Sequence, residues 1–207
     1  MSNQGAFLEA DAGEDPFALF GTWFAAAAAV MADPEAMALA TVGPDGRPGV
    51  RMVLLKRWDH AGFVFHTNFA SAKAHALDTT GRAALLWHWA PLGRQVRVEG
   101  TAARVDDAEA DAYFATRQRG AQLGAHASRQ SAVIASREEL EARVAEQRRH
   151  FAGQPVPRPP WWGGYRVVPV SFEFWQHRDD RLHDRLRFLA SASASASPSW
   201  QRVRLQP

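Results

Sequence analysis

The chain has 207 residues, 46% hydrophobic and 22% charged, enough to bury one core and too apolar for an intrinsically disordered segment. It contains no cysteine, which excludes disulfides, thiolate nucleophiles, Cys-ligated zinc and iron–sulfur clusters. The net charge of +2 hides an asymmetry: residues 1 to 46 hold seven of the 22 acids and no Lys or Arg, leaving 15 acids against all 24 bases in the rest. A body this basic suits an anionic partner, either a phosphorylated small molecule or a nucleic acid.

In chain order, residues 1–14 are polar and Gly-containing and read as a flexible arm, with one domain expected over 15–207. Asp15 and Pro16 open a helix whose stripe is Phe17, Phe20, Phe24 and Ala27 or Ala28, ending at Asp33–Pro34. Its run from Phe24 to Ala32 is too short to span a bilayer, and the acidic N-terminus does not have the pattern of a signal peptide. No membrane association and a cytoplasmic location are therefore expected.

Strands are predicted at Met37 to Val42, Val50 to Trp58 and Phe63 to Asn68. Gly43, Gly46 and Gly49 join strand to strand rather than strand to helix, which argues against a dinucleotide loop. A short helix follows Ser71. Strands follow in "RAALLWHWA" and "RQVRVEGTAARV", then a helix in "DAEADAYFATR" and a longer one from a Ser136–Glu139 capping box. "GQPVPRPPWWGG" reads as an ordered loop, and "YRVVPVSFEFWQ", "DRLHDR" and "WQRVRLQP" as closing strands. The stretch "ASASASASPS" (190–199) reads as a low-complexity hairpin tip. Many antiparallel strands, few helices and no βαβ alternation predict an α+β, predominantly antiparallel β barrel or sandwich with peripheral helices.

Several polar groups exceed what a plain barrel needs. Arg51 and Lys56 bracket an apolar strand, Thr67 and Ser71 flank Lys73 at a helix start, and Gln95 and Arg97 share a strand face. A helix N-terminus with a nearby ammonium suits a phosphate. Strand alternation in "DRLHDR" places Arg181, His183 and Arg185 on one face, where they repel unless solvent or an anion intervenes. No metal is expected from the eight histidines, which lack ligand spacing, so redox chemistry here would need an organic cofactor. Trp87, Trp89, Trp161 and Trp162 read as barrel or dimer-interface residues; stacking on single-stranded nucleic acid is the rival reading.

The motifs "RMVLLK", "FHTN…SAK", "RQVRVEG", "QLGAHASRQS", "PPWWGGYRV", "EFWQ" and "RLHDR", with the closing "RLQP", resemble in order and separation the pyridoxamine 5′-phosphate oxidase family. The resemblance covers roughly residues 15 to 207. It implies an FMN-binding split β-barrel, working as a homodimer with FMN at the interface. It also implies oxidation of pyridoxine or pyridoxamine 5′-phosphate to pyridoxal 5′-phosphate, with oxygen as acceptor and hydrogen peroxide as product. By the same resemblance Arg51, Lys56, His66, Thr67, Ser71, Lys73, Gln95, Gln130, Ser131, Trp175 and Arg185 contact FMN. Lys56, Tyr113 and Arg117 hold the substrate phosphate, and Arg181 and His183 lie over the substrate ring as the catalytic pair.

The chain departs from the family pattern at Ala72, where an Arg is usual, and at Ala121, where a phosphate-binding serine is usual. A missing charge-assisted contact is expected to weaken FMN binding by roughly one to two powers of ten. The N-terminal arm lacks the Arg and Tyr that close over the substrate in some members. These departures leave room for another substrate, as in related flavin oxidases of phenazine biosynthesis, or for a non-catalytic flavin-binding barrel.

Overall fold

The computed structural model describes residues 5–191 and 199–207, so most of the expected hairpin tip, residues 192–198, lies outside the described residues. The described residues form six α-helices and nine strands, and no helix among them is long and apolar enough to cross a membrane. The strands make one antiparallel sheet that curls into a split barrel. Its order is β2 (Pro48–Leu54), β1 (Ala36–Val42), β5 (Arg82–Trp89), β6 (Arg94–Arg104), β7 (Trp162–Gln176), β4 (Gly62–Asn68) and β3 (Arg57–Asp59). The 15-residue β7 pairs with β6 along most of its length. Its first half also pairs with β4, and its second half with β8 (Asp184–Ala190), which β9 (Trp200–Arg204) extends. A bulge at Glu99/Gly100, opposite Ser171 and Pro169, bends the long pair between those two partnerships.

After the short α1 (Glu9–Ala12), α2 (Pro16–Ala28) starts as the sequence predicts: Asp15 Oδ1 accepts from the Phe17 N–H at 2.9 Å and Pro16 fills the first turn. Phe17, Phe20 and Trp23 enter the core, where Phe20 meets Phe63 and Trp87 edge-on, each at 4.9 Å. The helix stops at Ala28, short of the predicted Asp33–Pro34, as Val30 and Met31 both donate to the Ala27 carbonyl. Beyond Ala27 the helix buries no further apolar side chain, so packing no longer holds it.

The single strand predicted over Val50 to Trp58 is two strands. At Leu55–Lys56 the backbone changes partner: the Leu55 N–H donates to Glu35, beside β1, and the Lys56 N–H to Val64 on β4. Burying the Leu55 side chain fixes this crossing. Helix α5 (Arg119–Ala127), absent from the sequence reading, follows α4 (Asp107–Thr116), and α6 (Arg137–His150) starts at the predicted Ser136, whose Oγ accepts from the Glu139 N–H.

The "DRLHDR" strand reading is corrected. Asp179–Arg181 is a 3-10 turn with Asp180 at φ 54° and Arg181 at φ 61°, and β8 begins only at Asp184. Consecutive Asp residues favour such a turn, and it removes Arg181 and His183 from the strand face that carries Arg185. Of the segment read as a flexible arm, residues 5–14 pack against the barrel. The Phe7 ring packs at a tilt on Trp23 with centroids 5.1 Å apart, the Phe7 N–H donates to Asp184, and Arg204 binds Glu9 at 2.7 and 3.0 Å.

Candidate functional site

Three of the cations singled out in the sequence, Lys56, Lys73 and Arg117, gather at a cavity of about 470 Å³ between the crossing at Lys56, the end of β4, the start of α3 (Ala72–Thr80) and helices α4 and α5. Lys56, His66, Thr67, Lys73, Tyr113, Arg117 and Gln130 all line it. The break after Leu54 is what lets Lys56 reach the cavity although it lies five residues from Arg51. Ser71 caps α3, its Oγ accepting from the Ala74 N–H, and the Ala72 N–H donates to Ser131 Oγ at 3.3 Å. Ser131 adopts φ 72°, a conformation costly for a residue with a side chain and commonest at functional turns.

Lys73 Nζ reaches back over this helix start to Gln130 Oε1 (2.7 Å), Thr67 Oγ1 (3.1 Å) and Ser71 Oγ (3.3 Å). All three acceptors are neutral. Burial, with the Arg51 charge nearby, lowers the Lys73 pKa. Arg51 itself is tied to β1, donating to the Leu39 carbonyl and Thr41 Oγ1, and does not line the cavity. Among the described residues no carboxylate lies within 4 Å of Arg51, Lys56, Lys73 or Arg117. Three cations at one cavity, with the Arg51 charge close to Lys73 and no counter-ion on any of the four, make a site suited to an anion.

At the far wall His66, Tyr113 and Trp162 lie nearly parallel, with His66 4.0 Å from Tyr113 and 5.2 Å from Trp162, and Arg117 sits 4.5 Å over the Trp162 ring. The pair Gly163–Gly164 makes this possible. A Cβ on Gly164 would stand 3.0 Å from His66 Cδ2 and Nε2, and one on Gly163 would strike the Phe69 ring at 2.4 Å. Burial, then Arg117 and Lys56, push the His66 pKa down to about 4. Burial raises the Tyr113 pKa and lowers that of Arg117.

Gln95, Trp175, Arg181, His183 and Arg185 do not line this cavity. Gln95, Trp175 and Arg185 form one cross-strand row over β6, β7 and β8. Here every strand cation has a carboxylate. Glu173, 5% exposed, accepts from Arg97 at 2.7 Å and from Arg185 at 2.8 and 3.0 Å, and Arg187 lies 3.4 Å from Glu99. The His183 ring packs on Trp175 at 4.6 Å and its Nδ1 accepts from the Arg178 N–H, while Arg181 is exposed. Burial, with His177 and Arg181, lowers the His183 pKa. The sequence reading missed Glu173, although alternation in "SFEFWQ" sets it on the face of Trp175, opposite Phe172 and Phe174.

The same outer face continues through the row Arg97, Leu86, Ala38 and Met52. It ends on apolar residues that are strongly exposed in the single chain: Val50 (71%), Met52 (63%) and Leu54 (44%). Trp87 and Trp89, by contrast, are sealed in the core and offer no face to a nucleic-acid base.

Comparison with known proteins identifies the family. Residues 24–151 match the family model described as pyridoxamine 5'-phosphate oxidase, and residues 162–207 match the pyridoxine 5'-phosphate oxidase C-terminal dimerisation region. A pyridoxine/pyridoxamine 5'-phosphate oxidase of Rubrobacter xylanophilus is 57% identical over 205 residues, covering 99% of this chain and 92% of that protein. A protein of the same name from Myxococcus xanthus is 56% identical over 176 residues, covering 84% of this chain and 85% of that one. Among solved structures, PhzG from Burkholderia lata, in complex with tetrahydrophenazine-1-carboxylic acid, superposes with a TM-score of 0.90 at 33% identity, covering all of both chains. An FMN-binding protein from Nostoc punctiforme related to pyridoxamine 5'-phosphate oxidase shares the fold, with a TM-score of 0.73 at 17% identity and 93% and 98% of the two chains covered. The chain belongs to the pyridoxamine 5'-phosphate oxidase family.

Proposed function

We propose that this protein is an FMN-dependent oxidase that converts pyridoxamine or pyridoxine 5′-phosphate to pyridoxal 5′-phosphate, with oxygen as acceptor and hydrogen peroxide as product. The observation that carries the reading is the cavity ringed by cations without carboxylates, which fits two phosphate-bearing ligands better than any neutral one. Lys73, Ser71, Thr67, Gln130 and the first N–H groups of α3 suit the FMN phosphate, with Arg51 and Ser131 beside them. Arg117, whose Nη1 is buried and has no partner, Lys56 and Tyr113 suit the substrate phosphate.

The flavin, when bound, supplies the acceptor for hydride from the substrate and returns the electrons to oxygen. The chain's own groups bind and orient. The Arg178 N–H bond to His183 Nδ1 sets the neutral ring's proton on Nε2, the free edge available to a substrate oxygen or nitrogen. Arg181 and His183, with Gln95, Trp175 and Arg185, belong in this reading to the complementary half of the site. A second copy covering the apolar face of Val50, Met52 and Leu54 would bring that half against the cavity, making the working form a homodimer.

The likeness to the Burkholderia lata protein favours a second reading, a flavin oxidase acting on a phenazine precursor, and the cavity's Ala121 removes a hydroxyl from the phosphate side. Relatives above 50% identity named for the B6 vitamers, together with Lys56 in the cavity, favour the first. The deciding experiment is anaerobic. Purified protein reconstituted with FMN should be yellow and should bleach on adding pyridoxamine 5′-phosphate. A yellow protein that stays yellow with this compound but bleaches with a reduced phenazine carboxylate would establish the second reading instead.

A further inference from the structure

Buried nitrogens without hydrogen-bond partners are few in this chain and most sit together. Of the five such side-chain atoms among the described residues, His66 Nδ1, His66 Nε2 and Arg117 Nη1 belong to the wall of the cation cavity. Leaving a buried polar group unpaired is costly, so three in one place point to a ligand that satisfies them. Arg117 already has that ligand in the proposed substrate phosphate. The resemblance sets His66 among the FMN contacts, and neither of its ring nitrogens has a hydrogen-bond partner in the free chain.

Resting on the proposed vitamer reading, we infer that the His66 imidazole is itself a ligand of the substrate phosphate, supplying an N–H donor where Ala121 supplies none. His66 and Ala121 line the same cavity, together with Lys56 and Arg117. In the free chain the ring edge holding Cδ2 and Nε2 is turned to Gly164 on β7. The stack with Tyr113 and Trp162 fixes the ring plane, yet no hydrogen bond fixes rotation about the Cβ–Cγ bond. Half a turn therefore keeps the stacking and carries Nε2 to the edge away from β7, at no cost in broken bonds. Burial, then Arg117 and Lys56, keep the ring neutral, so it contributes a directed donor while those two cations balance the phosphate charge.

The test compares His66→Phe, which keeps the stack and removes both nitrogens, with His66→Gln, which restores a donor, each as FMN-loaded protein. Binding of pyridoxal 5′-phosphate and of pyridoxal is followed by flavin absorbance or calorimetry. Expected is a loss of about ten-fold in pyridoxal 5′-phosphate affinity for His66→Phe, partly recovered in His66→Gln, with pyridoxal affinity unchanged. Phosphate affinity unaltered in His66→Phe, or pyridoxal affinity lost in parallel with it, would overturn the inference. Arg117→Ala separates the two levels of the argument. If it too leaves pyridoxal 5′-phosphate binding intact, the vitamer reading of the cavity fails; if it weakens binding and His66→Phe does not, only the role of His66 fails.

Discussion

Two groups of basic residues lie on this barrel, and they differ in one respect. Around the cavity, Arg51, Lys56, Lys73 and Arg117 have no carboxylate within ion-pairing distance, whereas on the β6–β8 face Arg97 and Arg185 share Glu173 and Arg187 has Glu99. The first group repels itself until an anion arrives; the second is already neutralised. Burial depresses the pKa of Lys73 and Arg117, a cost that a phosphate dianion offsets. In the proposed reading phosphate recognition therefore falls to the cavity, and the paired face holds flat groups in place through Trp175 and His183 and meets a second subunit.

The largest effect should come from removing an unpaired cation. Lys73→Ala is expected to weaken FMN binding by about ten- to a hundred-fold, because a charge-assisted bond is lost and nothing nearby replaces it. Equilibrium titration of apoprotein with FMN measures this, and a change below two-fold would mean that Lys73 does not face the cofactor. Next is Glu173→Gln, which leaves Arg185 without a carboxylate while Arg97 and Arg187 keep Glu99. Glu173 is buried but its arginines are partly exposed, so about 1–3 kcal/mol of stability should be lost. The variant should also become more responsive to anions, its Tm rising further with added phosphate than that of the wild type. A smaller effect is expected for Arg185→Ala, since Glu173 keeps Arg97: FMN binding should weaken only a few-fold, roughly 1 kcal/mol or less. A loss as large as that from Lys73→Ala would erase the distinction between the two groups.

Much of this was legible from local chemistry. The Asp15–Pro16 start, the Ser71 cap and the Ser136 cap each depend on a residue bonding its own neighbours, and each is where the sequence puts it. What escaped depends on distant contacts. Nothing in "RMVLLKRW" signals that Leu55 dives into the core while the backbone passes from β1 to β4, yet that exchange delivers Lys56 to the cavity. Alternation in "DRLHDR" fails because two left-handed residues interrupt it, and Phe7 is held by Trp23 and Asp184, remote in sequence. Of the candidate residues, the cavity collects Lys56, His66, Thr67, Lys73, Tyr113, Arg117 and Gln130. Trp175, Arg181, His183 and Arg185 stay apart from it, and in the proposed reading they meet the cavity of a second copy.

The pH dependence of stability is the sharpest probe of the cavity's electrostatics in the protein alone. His66 titrates near 6.5 when unfolded and about 4 when folded, so between these values the unfolded chain binds the additional proton. The contribution of the neutral ring to stability is therefore complete above pH 6.5 and is lost as pH falls toward 4. Allowing for the ring's partial exposure, the loss should be roughly 1–2 kcal/mol. Carboxylates that pair with arginine elsewhere also destabilise the fold in acid, so the informative quantity is the difference between wild type and His66→Phe. Denaturant unfolding at pH 7 and pH 4.5 should show a smaller acid loss in the variant. Equal losses would mean that burial, with Arg117 and Lys56, does not hold the ring's proton affinity down, and that the cavity wall does not resist a further positive charge at His66.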